Sequence, residues 1–131
     1  SDLWISDGGN HLAVYGNIDI ALDPTSYAGV ITTCQAMSLG IPVVTRAGDR
    51  LLGRYGATLL DAVGLGELVA ESDDAYVATA VALARDPARL AQLRSTLGRR
   101  FAESPICDAK SYARSVEEAY RRMWRSWCDS A

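Results

Sequence analysis

The stretch IDIALDPTSYAGVITTCQAMSLGIPVVT, residues 18–45, decides the fold. It opens on an apolar run bounded by Asp19 and Asp23, passes Pro24, Tyr27 and Gly29 into Thr32 and Thr33, and reaches a second apolar run after Gly40 and Pro42. This order predicts a strand over 18–22, a glycine loop, a helix of about nine residues and a second strand from Val43. A helix of that length is close to the shortest crossover that lets both strands lie parallel in one sheet. Both strands should then be buried on both faces.

Such a crossover brings the amino end of its helix to the carboxyl edge of the sheet, where ligands of open α/β sheets bind. The first helical turn leaves backbone N–H groups unpaired and carries a partial positive charge, so a phosphate can be held without a basic side chain. Gly29 permits close backbone approach, and Thr32 and Thr33 offer hydroxyl donors. The same residues also suit an ordinary strand-to-helix connection in which the threonines cap the helix. The glycine and lysine spacing of the dinucleotide fingerprint and of the Walker loop is missing.

Outward from this stretch, 131 residues point to one domain with a real core. No run is long enough to cross a bilayer, and no basic segment followed by an apolar one opens the chain, so a cytoplasmic location without membrane contact is the expectation. The net charge of −3 argues against a nucleic-acid surface. Twelve arginines against a single lysine, with abundant alanine, hint at a GC-rich bacterial source. Cys34, Cys107 and Cys128 are odd in number and show neither zinc-ligand nor disulfide-framework spacing. Cys34 falls in the first turns of the central helix, where the dipole would favour a thiolate, yet no base lies near it in sequence.

Before the central stretch, residues 1–10 have no settled period, and His11 to Tyr15 reads as the end of a short helix stopped by Gly16 and Asn17. As a lone histidine near a helix end, His11 reads as a surface or packing residue. After it, residues 46–50 form a loop at the same sheet edge, 51–63 a helix ended by Gly64 and Gly66, and 67–70 a short parallel edge strand. Ser72 caps a helix over 74–85. Pro87 starts another, with Leu90, Leu93, Leu97 and Phe101 on one stripe, broken by Ser104 and Pro105. The last helix, 108–127, carries tyrosines and tryptophans on one side, expected to pack across a sheet or a neighbouring lobe. The fold class is therefore α/β, with a short parallel sheet flanked by helices and a helical C-terminus. So thin a sheet for so many helices suggests part of a larger α/β lobe.

Several blocks in order carry a resemblance: DIALDP at 19–24, GIPVVT at 40–45, GDR at 48–50 with Arg54, GATLL at 56–60, AVGLGELVA at 62–70, and SVEEAYRRMW at 115–124 behind Ser104, Pro105 and Asp108. Together they resemble the C-terminal catalytic region of the O-linked N-acetylglucosaminyltransferases, a family that includes plant Spindly-like proteins and bacterial enzymes with tetratricopeptide repeats. The resemblance implies a GT-B glycosyltransferase with two Rossmann-like lobes, of which residues 1–131 are the C-terminal half of the nucleotide-sugar-binding lobe. It implies a UDP-sugar donor, UDP-GlcNAc first, and a protein acceptor reached through the other lobe or the repeats. No divalent metal or other cofactor is implied. Matched position by position, Gly29, Thr32 and Thr33 fall on the glycine and threonine run that holds the diphosphate. His11 falls on a histidine beside the nucleotide, which favours a binding role over packing. Gln35 falls on the acidic residue that binds the ribose hydroxyls. Arg46, Asp49, Arg50 and Arg54 would border the donor crevice.

The departures fall in the same pocket. Val30 and Ile31 stand where the family has histidine or threonine and threonine, and Gln35 replaces a carboxylate. Apolar side chains donate nothing to phosphate, and an amide partners paired hydroxyls less well than a carboxylate. Donor affinity should be reduced, and the 131 residues alone, without the first lobe, should not turn over. The competing reading is a degenerate, non-catalytic module that keeps the fold and docks a partner through its aromatic last helix. A homodimer is expected in either case, because a partial lobe exposes sheet edge and apolar surface.

Overall fold

The structure is a computed structural model that describes residues 11–24 and 28–130. Three parallel strands, β1 (Ala21–Asp23), β2 (Val43–Arg46) and β3 (Val69–Ala70), lie in the order β1-β2-β3. The register sets Leu22 opposite Val44, Asp23 opposite Thr45, and Arg46 opposite Ala70. Six α-helices accompany them among the described residues: α1 (His11–Val14), α2 (Ile31–Ser38), α3 (Tyr55–Ala62), α4 (Asp73–Ala84), α5 (Pro87–Ala102) and α6 (Ala109–Ser130). The strand, loop, helix, strand order expected for 18–45 is present, with β1, α2 and β2 forming the parallel crossover.

The expected boundaries moved for identifiable reasons. The first strand occupies 21–23 rather than 18–22, because the Ile18 N–H turns back to the Tyr15 carbonyl at 3.2 Å and the pairing with the second strand begins only at Ala21, whose N–H reaches the Pro42 carbonyl. Central β2 is buried as expected, Val43, Val44 and Thr45 all being inaccessible, but β1 is not, since Leu22 is 58% exposed on the outer strand. The helix expected over 51–63 is split into a 3₁₀ turn at Leu51–Arg54 and α3. The glycine pair accompanies the split: the Gly48 N–H donates to the Gly53 carbonyl at 2.9 Å, and a Cβ on either glycine would lie 3.1 Å from the other's Cα. Gly64, at φ +69°, ends α3 as a left-handed cap.

One core holds the layers together. Met37 of α2, Ile41, Val43 and Val44 around β2, Leu60 of α3 and Leu97 of α5 are all essentially inaccessible. Helix α5 lies unusually near the carboxyl end of α2, because a Cβ on Gly40 would sit 2.7 Å from the Arg94 carbonyl oxygen and one on Gly98 3.0 Å from that of Ser38. Ser72 caps α4 as expected, its hydroxyl accepting the Ala75 N–H at 3.2 Å. Ser72→Ala should lower stability by about 1 kcal/mol, the usual worth of such a cap, with no change in the urea m-value.

Helix α6 is expected to pack across a sheet or a neighbouring lobe, and the described residues contain only the sheet. It does not pack across this sheet: none of its residues is buried, and its principal neighbour is the 3₁₀ turn Pro105–Cys107. Tyr112, Tyr120, Met123, Trp124 and Trp127 are each about two-thirds exposed, and the two tryptophan rings stack on each other with centroids 5.4 Å apart. No helix among the described residues is long and apolar enough to cross a membrane.

Candidate functional site

The carboxyl edge of the sheet gathers three connections: the loop from β1 into α2, residues 47–54 after β2, and the entry of α4 after β3. The first two are joined directly, the Ala28 N–H donating to the Leu52 carbonyl at 3.2 Å. At their junction sits Asp23, the last residue of β1 and only 8% exposed. One carboxylate oxygen, Oδ1, accepts the Gly29 N–H at 2.8 Å, and the other, Oδ2, accepts the Thr45 hydroxyl at 2.7 Å.

Beyond this junction α2 presents its amino end. Val30 precedes the helix without capping it, and the Cys34 N–H makes the first turn's bond to the Val30 carbonyl at 3.0 Å. The amides of residues 31–33 therefore have no carbonyl below them in the helix. The hydroxyls of Thr32 and Thr33 crowd back against Gly29, where a Cβ would collide with Thr32 Oγ1 and lie 3.3 Å from Thr33 Oγ1. Thr32 is exposed, Thr33 buried and Gln35 half-buried. Val30 and Ile31 do not plug this corner; they are 41% and 72% exposed.

A cavity of about 710 Å³ opens beside this helix end, between α1, β1 and α2. Tyr15, Ile20, Leu22, Asp23, Thr32, Thr33 and Gln35 are among its lining, which mixes apolar and polar side chains. Its size falls in the range of small-molecule sites. The Tyr15 hydroxyl donates to the Thr32 carbonyl at 3.3 Å, tying the segment after α1 to α2. His11 opens α1, but its side chain lies outside the described residues.

The structure thus draws Gly29, Thr32, Thr33 and Gln35 around one helix end. Arg46 is directed elsewhere, its Nε 2.7 Å from Asp73 Oδ1 on α4, in an ion pair that lacks hydrogen-bond alignment. Arg54 donates to the Gly48 carbonyl at 3.2 Å and so braces its own loop. Asp49 and Arg50 are exposed in that loop.

Sequence reading missed two residues here. Asp23 entered it only as the boundary of an apolar run and as part of the DIALDP block, although a carboxylate between an apolar strand and a glycine loop is itself a signal. The other is Tyr76 of α4, whose hydroxyl is buried with no hydrogen-bond partner among the described residues. Burial, and then the charge of Asp23, raise its pKa above the ordinary phenol value. Cys34 behaves oppositely to a dipole-activated thiol: burial, and then neighbouring Cys107, push it up. A thiol held above its ordinary pKa is less readily the attacking thiolate, so this geometry does not argue for Cys34 as a nucleophile.

Comparison with known proteins adds the family. Residues 9–116 match the family described as "Glycosyl transferase family 41". The chain is 45% identical to the probable UDP-N-acetylglucosamine-peptide N-acetylglucosaminyltransferase SPINDLY of Oryza sativa subsp. japonica, and 44% identical to the protein of that name in Arabidopsis thaliana. These alignments cover 92% and 91% of the chain and 13% of each relative. It is 31% identical to a UDP-N-acetylglucosamine-peptide N-acetylglucosaminyltransferase of Caenorhabditis elegans, over 83% of the chain and 10% of that protein. Among solved structures it superposes with TM-score 0.84 on an O-GlcNAc transferase mutant from Thermobaculum terrenum, at 42% identity, covering 92% of this chain and 23% of that one. The chain therefore spans about 13% of the length of the curated plant relatives, and the resemblance read from DIALDP, GIPVVT and the later blocks is confirmed. A sequence matched over 9–116, with a parallel crossover that superposes on an O-GlcNAc transferase, belongs to glycosyl transferase family 41.

Proposed function

We propose that this chain is the donor-binding part of a protein O-glycosyltransferase, the C-terminal half of its nucleotide-sugar lobe, taking a UDP-sugar and specifically UDP-GlcNAc. The observation that carries the reading is the amino end of α2, set at the carboxyl edge of the sheet beside Gly29, Thr32 and Thr33 and opening on the 710 Å³ cavity that Gln35 also lines. In this reading the amides of residues 31–33 and the Thr32 hydroxyl hold the diphosphate, and Gln35 meets the ribose. As the glycosyl bond breaks, negative charge grows on the departing UDP, and fixed dipoles aimed at that charge lower the barrier without reorganising. Charge neutralisation is assigned to amides and hydroxyls, with no metal or other cofactor. The protein acceptor and transfer itself are assigned to the rest of the catalytic region, so the 131 residues by themselves should not turn over. Cytoplasmic residence and a bacterial origin complete the proposal.

Titrating UDP into the chain while following its melting temperature tests this reading. A ligand at a hundred times its Kd stabilises the folded state by about 2.7 kcal/mol, so Tm should climb by roughly 5 °C or more near saturation. A flat Tm through millimolar UDP would favour the second reading, a non-catalytic interaction module. That reading draws on the exposure of Ile31 at the helix end, of Leu51 on the neighbouring loop at 73%, and of the α6 stripe.

A further inference from the structure

We infer that Asp23 is the positioning residue of the donor seat: its buried carboxylate fixes the Gly29 turn and thereby aims the amino end of α2. The identity of the ligand in this inference rests on the donor-binding reading above; the positioning itself rests on geometry. A carboxylate is costly to place in a sheet interior and persists there only when its oxygens are satisfied. Here both are, by groups from different segments: the Gly29 N–H of the loop into α2 and the Thr45 hydroxyl of β2. A third segment closes the arrangement. Gly56, second residue of α3, leaves no room for a side chain, since a Cβ there would collide with Asp23 Oδ2 and Thr45 Oγ1. Asp23 therefore also lies against the amino end of α3, where the helix dipole favours a negative charge.

This arrangement redefines what Gly29 contributes. Its N–H points inward to Asp23 and is not a donor to ligand. Gly29 serves by having no side chain, which lets the hydroxyls of Thr32 and Thr33 close over the turn. The amides that lack a carbonyl partner within the helix begin after it, at residues 31–33, and the Asp23 anchor sets the turn that leads into them. Asp23 borders the same cavity, but its two oxygens are committed to the Gly29 N–H and the Thr45 hydroxyl, so it acts through Gly29.

The test uses the chain with Asp23→Ala and Asp23→Asn. Asparagine can accept the Gly29 N–H through its carbonyl and donate to the Thr45 hydroxyl oxygen through its amide, so it keeps both links without the charge. Amide exchange at Gly29, followed by NMR with core amides of α3 as the gauge of global stability, should be at least about tenfold faster in Asp23→Ala and regain protection in Asp23→Asn. The UDP Kd should weaken about tenfold in Asp23→Ala and return to within about threefold in Asp23→Asn. Unchanged Gly29 exchange in Asp23→Ala, or no rescue by asparagine, overturns the inference. If Asp23→Ala does not fold, Thr45→Val removes one of the two links at constant volume. It should weaken UDP binding by about threefold, and an unaltered Kd there counts against Asp23 equally. A wild-type chain that does not bind UDP overturns the donor reading itself, and Gly29 exchange then still decides whether Asp23 sets the turn.

Discussion

Replacing Gly40 by alanine should lower the free energy of unfolding by about 3 kcal/mol, among the largest losses available to a single methyl group in this chain. Two costs combine. Gly40 holds φ at +80°, in the left-handed region where a Cβ crowds the following carbonyl, at about 1 kcal/mol or more for an ordinary residue. The added Cβ would also sit 2.7 Å from the Arg94 carbonyl oxygen, with the carbonyl carbon and Cα of Arg94 at 3.5 and 3.6 Å. Those atoms are main chain of α5, so no rotamer change can relieve the contact. The helix must back away from α2, and that movement disturbs Leu93 and Leu97, both fully buried. Overpacking of this kind costs about 1–3 kcal/mol. Urea denaturation measures the loss, with Gly16→Ala as the comparison: a Cβ at Gly16 meets nothing within 4 Å, so that variant should stay within about 0.5 kcal/mol of the parent. Equal stabilities for the two variants would mean that α5 is not seated on α2 as described.

Restoring polar groups at the helix end should have the largest effect on binding. The combined variant Val30→Thr, Ile31→Thr, Gln35→Glu is expected to bind UDP about a hundredfold more tightly than the parent chain, as calorimetry would read. A hydrogen bond to a charged partner is worth about 1.5 kcal/mol or more, and two such gains already reach that factor. The substitutions carry little folding cost, since Val30 and Ile31 are 41% and 72% exposed and pack little of the core. Threonine is also at ease in a first helical turn, and a glutamate at position 35 can accept from two adjacent hydroxyls at once. A gain below about threefold, in a variant that melts like the parent, would remove the diphosphate from this end of α2.

Much of the architecture was legible because the periodicities are strong. The apolar runs around Ala21 and Val43, the Ser72 and Pro87 helix starts, and the Gly64 stop each reflect a local rule that the packed protein obeys. Where reading failed, the missing information was non-local. Gly53 signals a weakened helix open to close backbone approach, but nothing in the sequence around Leu51 names Gly48 as the backbone it meets at the 3₁₀ turn. Leu22 is exposed because no strand among the described residues pairs with the outer side of β1, a property of sheet order invisible in a strand's own composition. The stripe on α6 was correctly read as amphipathic, but amphipathicity names a face without naming what covers it, and this sheet does not. At the candidate site, Gly29, Thr32 and Thr33 could be proposed from sequence because they lie within one turn-and-helix segment, and Gln35 because of the family resemblance; the structure sets the four near one helix end. Asp23 and Tyr76 were missed because their meaning depends on partners contributed from β2, α3 and one another across the sheet.

The brevity of the outer strands has a consequence for how the molecule behaves in a crowded solution. With three residues in β1 and two in β3, the borders of the ribbon among the described residues offer only a few backbone groups to an incoming extended chain. Any pairing at these borders is therefore short, and lengthening either one would widen the margin open to fibril growth.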